Sequence, residues 1–155
     1  MFYNTKGIVI IEDIPKKGLT LKNLKIGIYH EMCHNFYYKY MKTYYPQWID
    51  EGLANYLANY KLKDKTFIKF ISNYKKDFPN QDHLKIAKKY YSLSKKDWEN
   101  NKKTRKFYVC SFLVIKNIVD KKGLKYLFNW LNKFKTNPTK KNYNNKIDAL
   151  FKVIE

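Results

Sequence analysis

Cysteine is scarce: the 155 residues hold two, Cys33 and Cys110. Two cysteines at that separation make neither a disulfide framework nor a thiolate metal site, and a reducing compartment suits them. Arginine is nearly absent. Arg105 is the only one, although Lys and Arg together number 32 against 13 Asp and Glu. The formal charge of +19 is thus carried by lysine, and so high a charge points toward nucleic acid or an anionic membrane surface. Arginine is the residue that grips phosphate with two parallel bonds, however, and lysine, asparagine, isoleucine and tyrosine together are what AT-rich codons encode. Most of the charge is therefore read as solvated faces, with an anionic partner as the alternative. No apolar run approaches the eighteen or so residues a membrane helix needs. Ile8–Ile11 is too short for the core of a secretory leader, and Glu12-Asp13 follows it. The expectation is a cytoplasmic protein, or a secreted one whose leader has been removed. Internal repeats and linkers are missing too, so residues 1–155 are read as one domain.

What is present is material for a core, 45% hydrophobic and 18% aromatic, which excludes general disorder. Two of the three histidines fall in His30-Glu31-Met32-Cys33-His34. On an α-helix, residues four apart differ by about 40° in azimuth, so His30 and His34 project from one face. Two imidazoles held that way can take adjacent corners of a tetrahedral Zn²⁺ site. Glu31 stands on the shoulder of that face, suited to act as general base on a metal-bound water rather than as ligand.

A catalytic zinc needs a third protein ligand and an open fourth position. Pro46 suits the first turn of a helix, and the helix it opens carries Asp50 and Glu51. Glu51 follows His34 by 51 − 34 = 17 positions, room for a turn and an antiparallel return that sets a carboxylate beside both histidines. Either acid can serve on this count. Asn55 follows Glu51 by four and shares its face, where it can accept the other ring N–H of a ligand histidine; that this is His30 is implied only by the family resemblance that these motifs carry. An exposed helix asparagine is the plain alternative.

His-Glu-x-x-His followed by Pro46-x-Trp48-x-x-Glu51-Gly52-Leu53-Ala54-x-Tyr56 resembles the gluzincin zinc metallopeptidases, most of all the peptidase MA-like group, kin to the aminopeptidase branch. The resemblance implies one Zn²⁺ per chain held by His30, His34 and Glu51, Glu31 as base, and a peptide or protein substrate. Asp50 lies beside the family's glutamate position. The same resemblance implies a tyrosine some sixty residues on, whose hydroxyl steadies the tetrahedral oxyanion. Tyr108, at 108 − 51 = 57, opens the matching aromatic-led stretch, with Tyr90, Tyr91 and Tyr56 behind it. It also implies that the strand ahead of the histidine helix pairs with substrate backbone. Gluzincin domains usually carry a sheet of several strands there, whereas residues 1–19 alone precede Thr20 here. A reduced upper part follows, or a completing partner chain; an inhibitory partner is the other kind of chain such a site would meet. The rival reading is a basic, non-catalytic domain with a structural zinc, closed by Asp50 or His83.

The fold expected is α+β and mostly helical: a minimal strand or hairpin in 1–19, zinc-binding helices in 20–60, and a helical subdomain in 61–155. Gly7 to Asp13 reads as a strand that Phe2-Tyr3 pairs with, and Thr20 caps a helix running to about Lys42. Helices are expected at Thr66–Lys76, Leu84–Tyr91, Phe107–Asp120, Gly123–Phe134 and Ile147–Ile154, with 95–106 as a loop or helix entry. His83 reads as a surface or capping residue. Leu124, Leu127, Phe128, Leu131 and Phe134 form an apolar stripe flanked by lysines, read as packing on the core ahead of lying on a membrane.

Overall fold

The computed structural model describes residues 2–3, 9–10, 20–41, 47–79, 82–89, 96, 99–132, 145, 148–149 and 152. Within them the chain is mostly helical. A strand over the whole of 7–13 is not seen among the described residues, which there are Val9–Ile10 (β2), antiparallel to Phe2–Tyr3 (β1), with Phe2 opposite Ile10 and Tyr3 opposite Val9. A two-residue ladder cannot stand alone, and this one rests against the first helix.

That helix, α1, spans Leu21–Met41, and Thr20 caps it by accepting from the Asn23 N–H at 3.2 Å. Its apolar residues are spread around the cylinder. Ile26 and Tyr37 turn into the core, while Leu21, Met32 and Phe36 stay exposed on the far side. Gln47–Ala54 (α2) buries Trp48, Ile49, Leu53 and Ala54, and runs without a break into a π-helical turn, Asn55–Tyr60. There the Lys61 and Asp64 N–H groups reach back five residues, to Tyr56 and Asn59 carbonyls at 3.0 and 2.8 Å. The change of pitch has a local cause. The Asn55 side-chain amide donates to the Glu51 carbonyl at 2.8 Å, competing for it with the α-helical ladder, and accepts from Asn59 Nδ2 at 2.6 Å.

Lys65–Asp77 (α3) starts at an Asp64 cap, and His83–Lys89 (α4) follows Asp82, whose carboxylate accepts from the Lys85 N–H. Capping at this point thus belongs to Asp82 and not to His83. Asn101–Lys122 (α5) begins well before the expected Phe107, because Asn100 caps it by accepting from the Lys103 N–H at 3.1 Å. The lysine-rich opening turns carry no apolar period by which a sequence could announce them. From Phe107 to Ile118 this helix is buried nearly all round, the mark of a central element. Gly123 ends it at φ 84°, ψ 159°, a conformation open in practice only to glycine. Leu124–Asn132 (α6) then folds its stripe onto α5, with Leu127 and Leu131 fully buried. The stripe is core. Of the helix expected over 147–154, positions 148, 149 and 152 are described and helical, while Pro46, expected in the first turn of its helix, lies outside the described residues, as do Tyr90, Tyr91 and Phe134. Among the described residues no helix is long and apolar enough to cross a membrane.

The closest approach in the fold sets the site. A Cβ built on Gly52 would meet the Ser111 carbonyl oxygen at 2.5 Å and Ile115 Cγ1 at 2.7 Å. Glycine at this position lets α2 seat its backbone on α5, and Glu51, the preceding residue, is carried with it to the junction of α1, α2 and α5.

Candidate metal centre

His30 and His34 leave α1 on one face, their rings edge-to-face with centroids 4.8 Å apart. Glu51 enters from α2. Its Oε2 lies 3.4 Å from His30 Nε2 and 3.7 Å from His34 Nε2. Three ligand atoms, one from each side chain, fall within 4.8 Å of one another. Two ligands at roughly 2.05 Å on a tetrahedral ion stand about 3.3 Å apart, so the two Oε2 separations are close to the edges such a site needs. Glu51 Oε2 is buried and has no hydrogen-bond partner. A buried carboxylate oxygen without a donor is costly to keep unless a cation compensates it. The donor set, two imidazoles and one carboxylate, is the one zinc takes in open catalytic sites. His30 and His34 side chains keep 17% and 15% of their surface, so the cluster is reachable from solvent.

Asp50 takes a different part from its neighbour. Its Oδ1 lies 2.8 Å from His34 Nδ1, leaving His34 Nε2 to face Glu51. A carboxylate on the outer ring nitrogen fixes tautomer and orientation and raises ligand basicity. Burial pulls the His34 pKa down, but the Asp50 hydrogen bond and the charges of Asp50, Glu51 and Glu31 outweigh it and hold it at about 9. The residue one turn beyond the glutamate does not do this work. The hydrogen bonds of Asn55 run to the Glu51 carbonyl and Asn59, so it shapes the π turn and does not orient His30.

Glu31 lies near enough to act electrostatically on both His34 and Tyr108. Tyr108, on the third turn of α5, is brought to the same place. Burial raises its phenol far above the ordinary range; the charges of Glu51 and Glu31 and a hydrogen bond to Glu51 raise it further. The phenol is the donor in that bond and stays neutral at any working pH. Tyr56 is buried in the π turn with Lys61 over its ring, a packing role. Cys33 is half-buried beside the site, and burial with the Asp50 charge pushes its thiol up to about 11, so it is no thiolate ligand.

Cys110 is fully buried, 3.6 Å from the Tyr74 hydroxyl. His83 is away from the cluster. It is half-buried near the Tyr74 ring, its Nε2 buried without a partner, and not a surface residue as the sequence suggested. Sequence reasoning weighed Asp50 as a rival ligand and missed its service to His34; the adjacent acidic pair was the available signal. No family model, curated protein or solved structure matches this chain.

Proposed function

We propose that the chain is a zinc-dependent peptidase of the gluzincin kind, with His30, His34 and Glu51 as ligands. One observation carries the reading: a buried, partnerless carboxylate oxygen faces two imidazole nitrogens at 3.4 and 3.7 Å, with a separate carboxylate and a neutral phenol alongside. A zinc ion held there would polarise a scissile carbonyl and bring the pKa of a bound water down toward about 7. The remaining chemistry belongs to side chains. Glu31 accepts a proton as the water oxygen attacks the carbonyl carbon, and delivers it to the amine nitrogen as the C–N bond breaks. Tyr108 donates a hydrogen bond where negative charge gathers on the former carbonyl oxygen. Asp50 keeps the His34 ring turned with Nε2 inward.

A closed structural zinc needs a fourth protein ligand. Among the described residues the cluster offers three, since Asp50 is engaged by His34 and His83 is elsewhere. The test is isothermal titration with Zn²⁺ together with turnover of a quenched peptide library. Wild type should bind one Zn²⁺ and cleave, the His30→Ala, His34→Ala double variant should bind none, and Glu31→Gln should bind zinc without cleaving. Equal turnover by Glu31→Gln removes that carboxylate from the mechanism. Binding of DNA or anionic vesicles with steep salt dependence, and no cleavage, establishes the basic-domain reading instead.

A further inference from the structure

Arg105 is the only arginine in a chain rich in lysine, and it is exposed on α5. It precedes Tyr108 by three residues, so the two share a side of the helix, with Cβ atoms roughly 5–6 Å apart. Long helical side chains lean toward the N-terminus, so the Tyr108 ring extends back over the turn that carries Arg105. Tyr108 in turn reaches the Glu51 carboxylate. One helical turn therefore separates the guanidinium's point of attachment from a residue that touches the metal centre.

Among the described residues, no hydrogen bond, ion pair or ring contact employs that guanidinium. Its own-helix neighbours three and four residues away are Asn101, Lys102, Tyr108 and Val109, none of them acidic. Some lysines are engaged: Lys116 with Asp120, Lys106 over the Phe78 ring, Lys61 over Tyr56. The ion pairs among the described residues do not include Arg105. Meanwhile Glu31, Asp50 and Glu51 give the site an acidic lining, which repels a substrate carboxylate unless a fixed cation stands close by. Arginine is the side chain whose planar fork meets a carboxylate with two parallel bonds, and it is weakly hydrated for a cation.

We propose that Arg105 is a specificity residue that receives a carboxylate of the peptide near the scissile bond, an inference that rests on the peptidase reading of the site. The carboxylate is an acidic side chain or the free C-terminus. Both present the same fork-shaped acceptor, and peptide design tells them apart. The net charge of +19 favours the approach of such substrates from a distance, while Arg105 fixes their register.

The experiment measures fluorescence anisotropy of labelled peptides on zinc-loaded protein carrying Glu31→Gln to prevent turnover. Three peptides of one sequence are used: one with a central Glu and an amidated C-terminus, one with Gln and a free C-terminus, and one with Gln and an amide. At least one carboxylate peptide should bind about tenfold tighter than the uncharged one. Arg105→Gln should abolish that difference while leaving the uncharged peptide's affinity and the thermal midpoint unchanged. Arg105→Lys should recover part of it. Lys125→Gln, an exposed cation on α6, makes the same change in net charge and should leave it intact. The inference is overturned if wild-type Arg105 shows no preference, if Arg105→Gln keeps it, or if Lys125→Gln weakens it equally, which would assign it to the overall field. Cleavage of the same peptides by the zinc-loaded form with Glu31 intact is read separately. A preference that depends on Arg105 without cleavage sinks the peptidase reading and leaves the carboxylate site standing.

Discussion

Gly52→Ala isolates the contact on which the site is built. In an ordinary helix interior this exchange stabilises by about 1 kcal/mol, since alanine restricts the unfolded chain and has the better propensity. Here the added methyl would lie 2.5 Å from a backbone oxygen, half an ångström inside the 3.0 Å that Cβ contacts keep. The obstacle is main chain of the central helix and cannot rotate away, so α2 must lift. Overpacking of this kind costs about 1–3 kcal/mol and sometimes more, which cancels the propensity gain and leaves a net loss of up to about 2 kcal/mol. For a chain of this size that is a fall in Tm of up to about 8 °C. Glu51 rises with α2, so zinc affinity should fall too, by about tenfold. Urea titration followed by tryptophan fluorescence gives the stability, and competition with a chelator gives the affinity. Gly123→Ala is the control. Its φ of 84° strains any side chain but nothing lies within 4 Å of the new methyl, so it should lose about 1–3 kcal/mol and keep its zinc affinity. If Gly52→Ala is as stable as wild type and binds zinc equally well, α2 and α5 are not in backbone contact and the account of how Glu51 is held is wrong.

Asp50→Asn keeps the size of the side chain but removes the charge on His34 Nδ1, and zinc affinity should drop about 10–100-fold with the fold intact; an unchanged titration would make the 2.8 Å contact incidental. Tyr108→Phe should lower kcat by about 10²–10³ with KM little altered. A loss of zinc affinity of similar size would instead assign the hydroxyl to supporting Glu51. Burial and the Lys75 charge hold the His83 pKa below its ordinary 6.5, so the folded chain takes up that proton less readily than the unfolded one. His83 therefore contributes no penalty above 6.5 and destabilises the fold as pH falls through it. Urea midpoints at pH 7.5 and 5.5 should differ less in His83→Gln than in wild type, and an equal difference would place the pH dependence elsewhere.

The helices that proved easiest to read were those announced by chemistry at their ends. Thr20 and Gly123 mark termini by means that do not depend on tertiary context, a hydroxyl that accepts an N–H and a backbone free to adopt positive φ. The opening of α5 was invisible for the converse reason. Its first two turns are lysine, threonine and arginine, exposed or half-exposed, and Asn100 is one asparagine among many in this chain. The π turn was equally hidden. It arises from one amide that captures a carbonyl four residues back, and an asparagine in that spacing more often points to solvent. In the β-branched run after Gly7, pairing is described at Val9 and Ile10, which face Tyr3 and Phe2; propensity for strand is realised where neighbours exist to pair.

The cluster of His30, His34 and Glu51 was legible because it is a property of helical spacing and one short return, both local. Its surroundings were not, because they depend on rotation of α2 about its axis. Two acids in succession differ by about 100° in azimuth, so only one can face both histidines while the other meets a ring edge. Sequence alone left Asp50 and Glu51 as rivals. The seating of Gly52 on Ser111 and Ile115 removes the rivalry, since it fixes which side of α2 meets α5 and hence which acid is carried inward to Tyr108. The same rotation sends Asn55 to the Glu51 carbonyl and makes Asp50 the partner of His34. Which carboxylate meets His34 is thus chosen by a glycine one residue past Glu51, through a contact with a helix some sixty positions away, and that is the point at which reading by motif has to give way to packing.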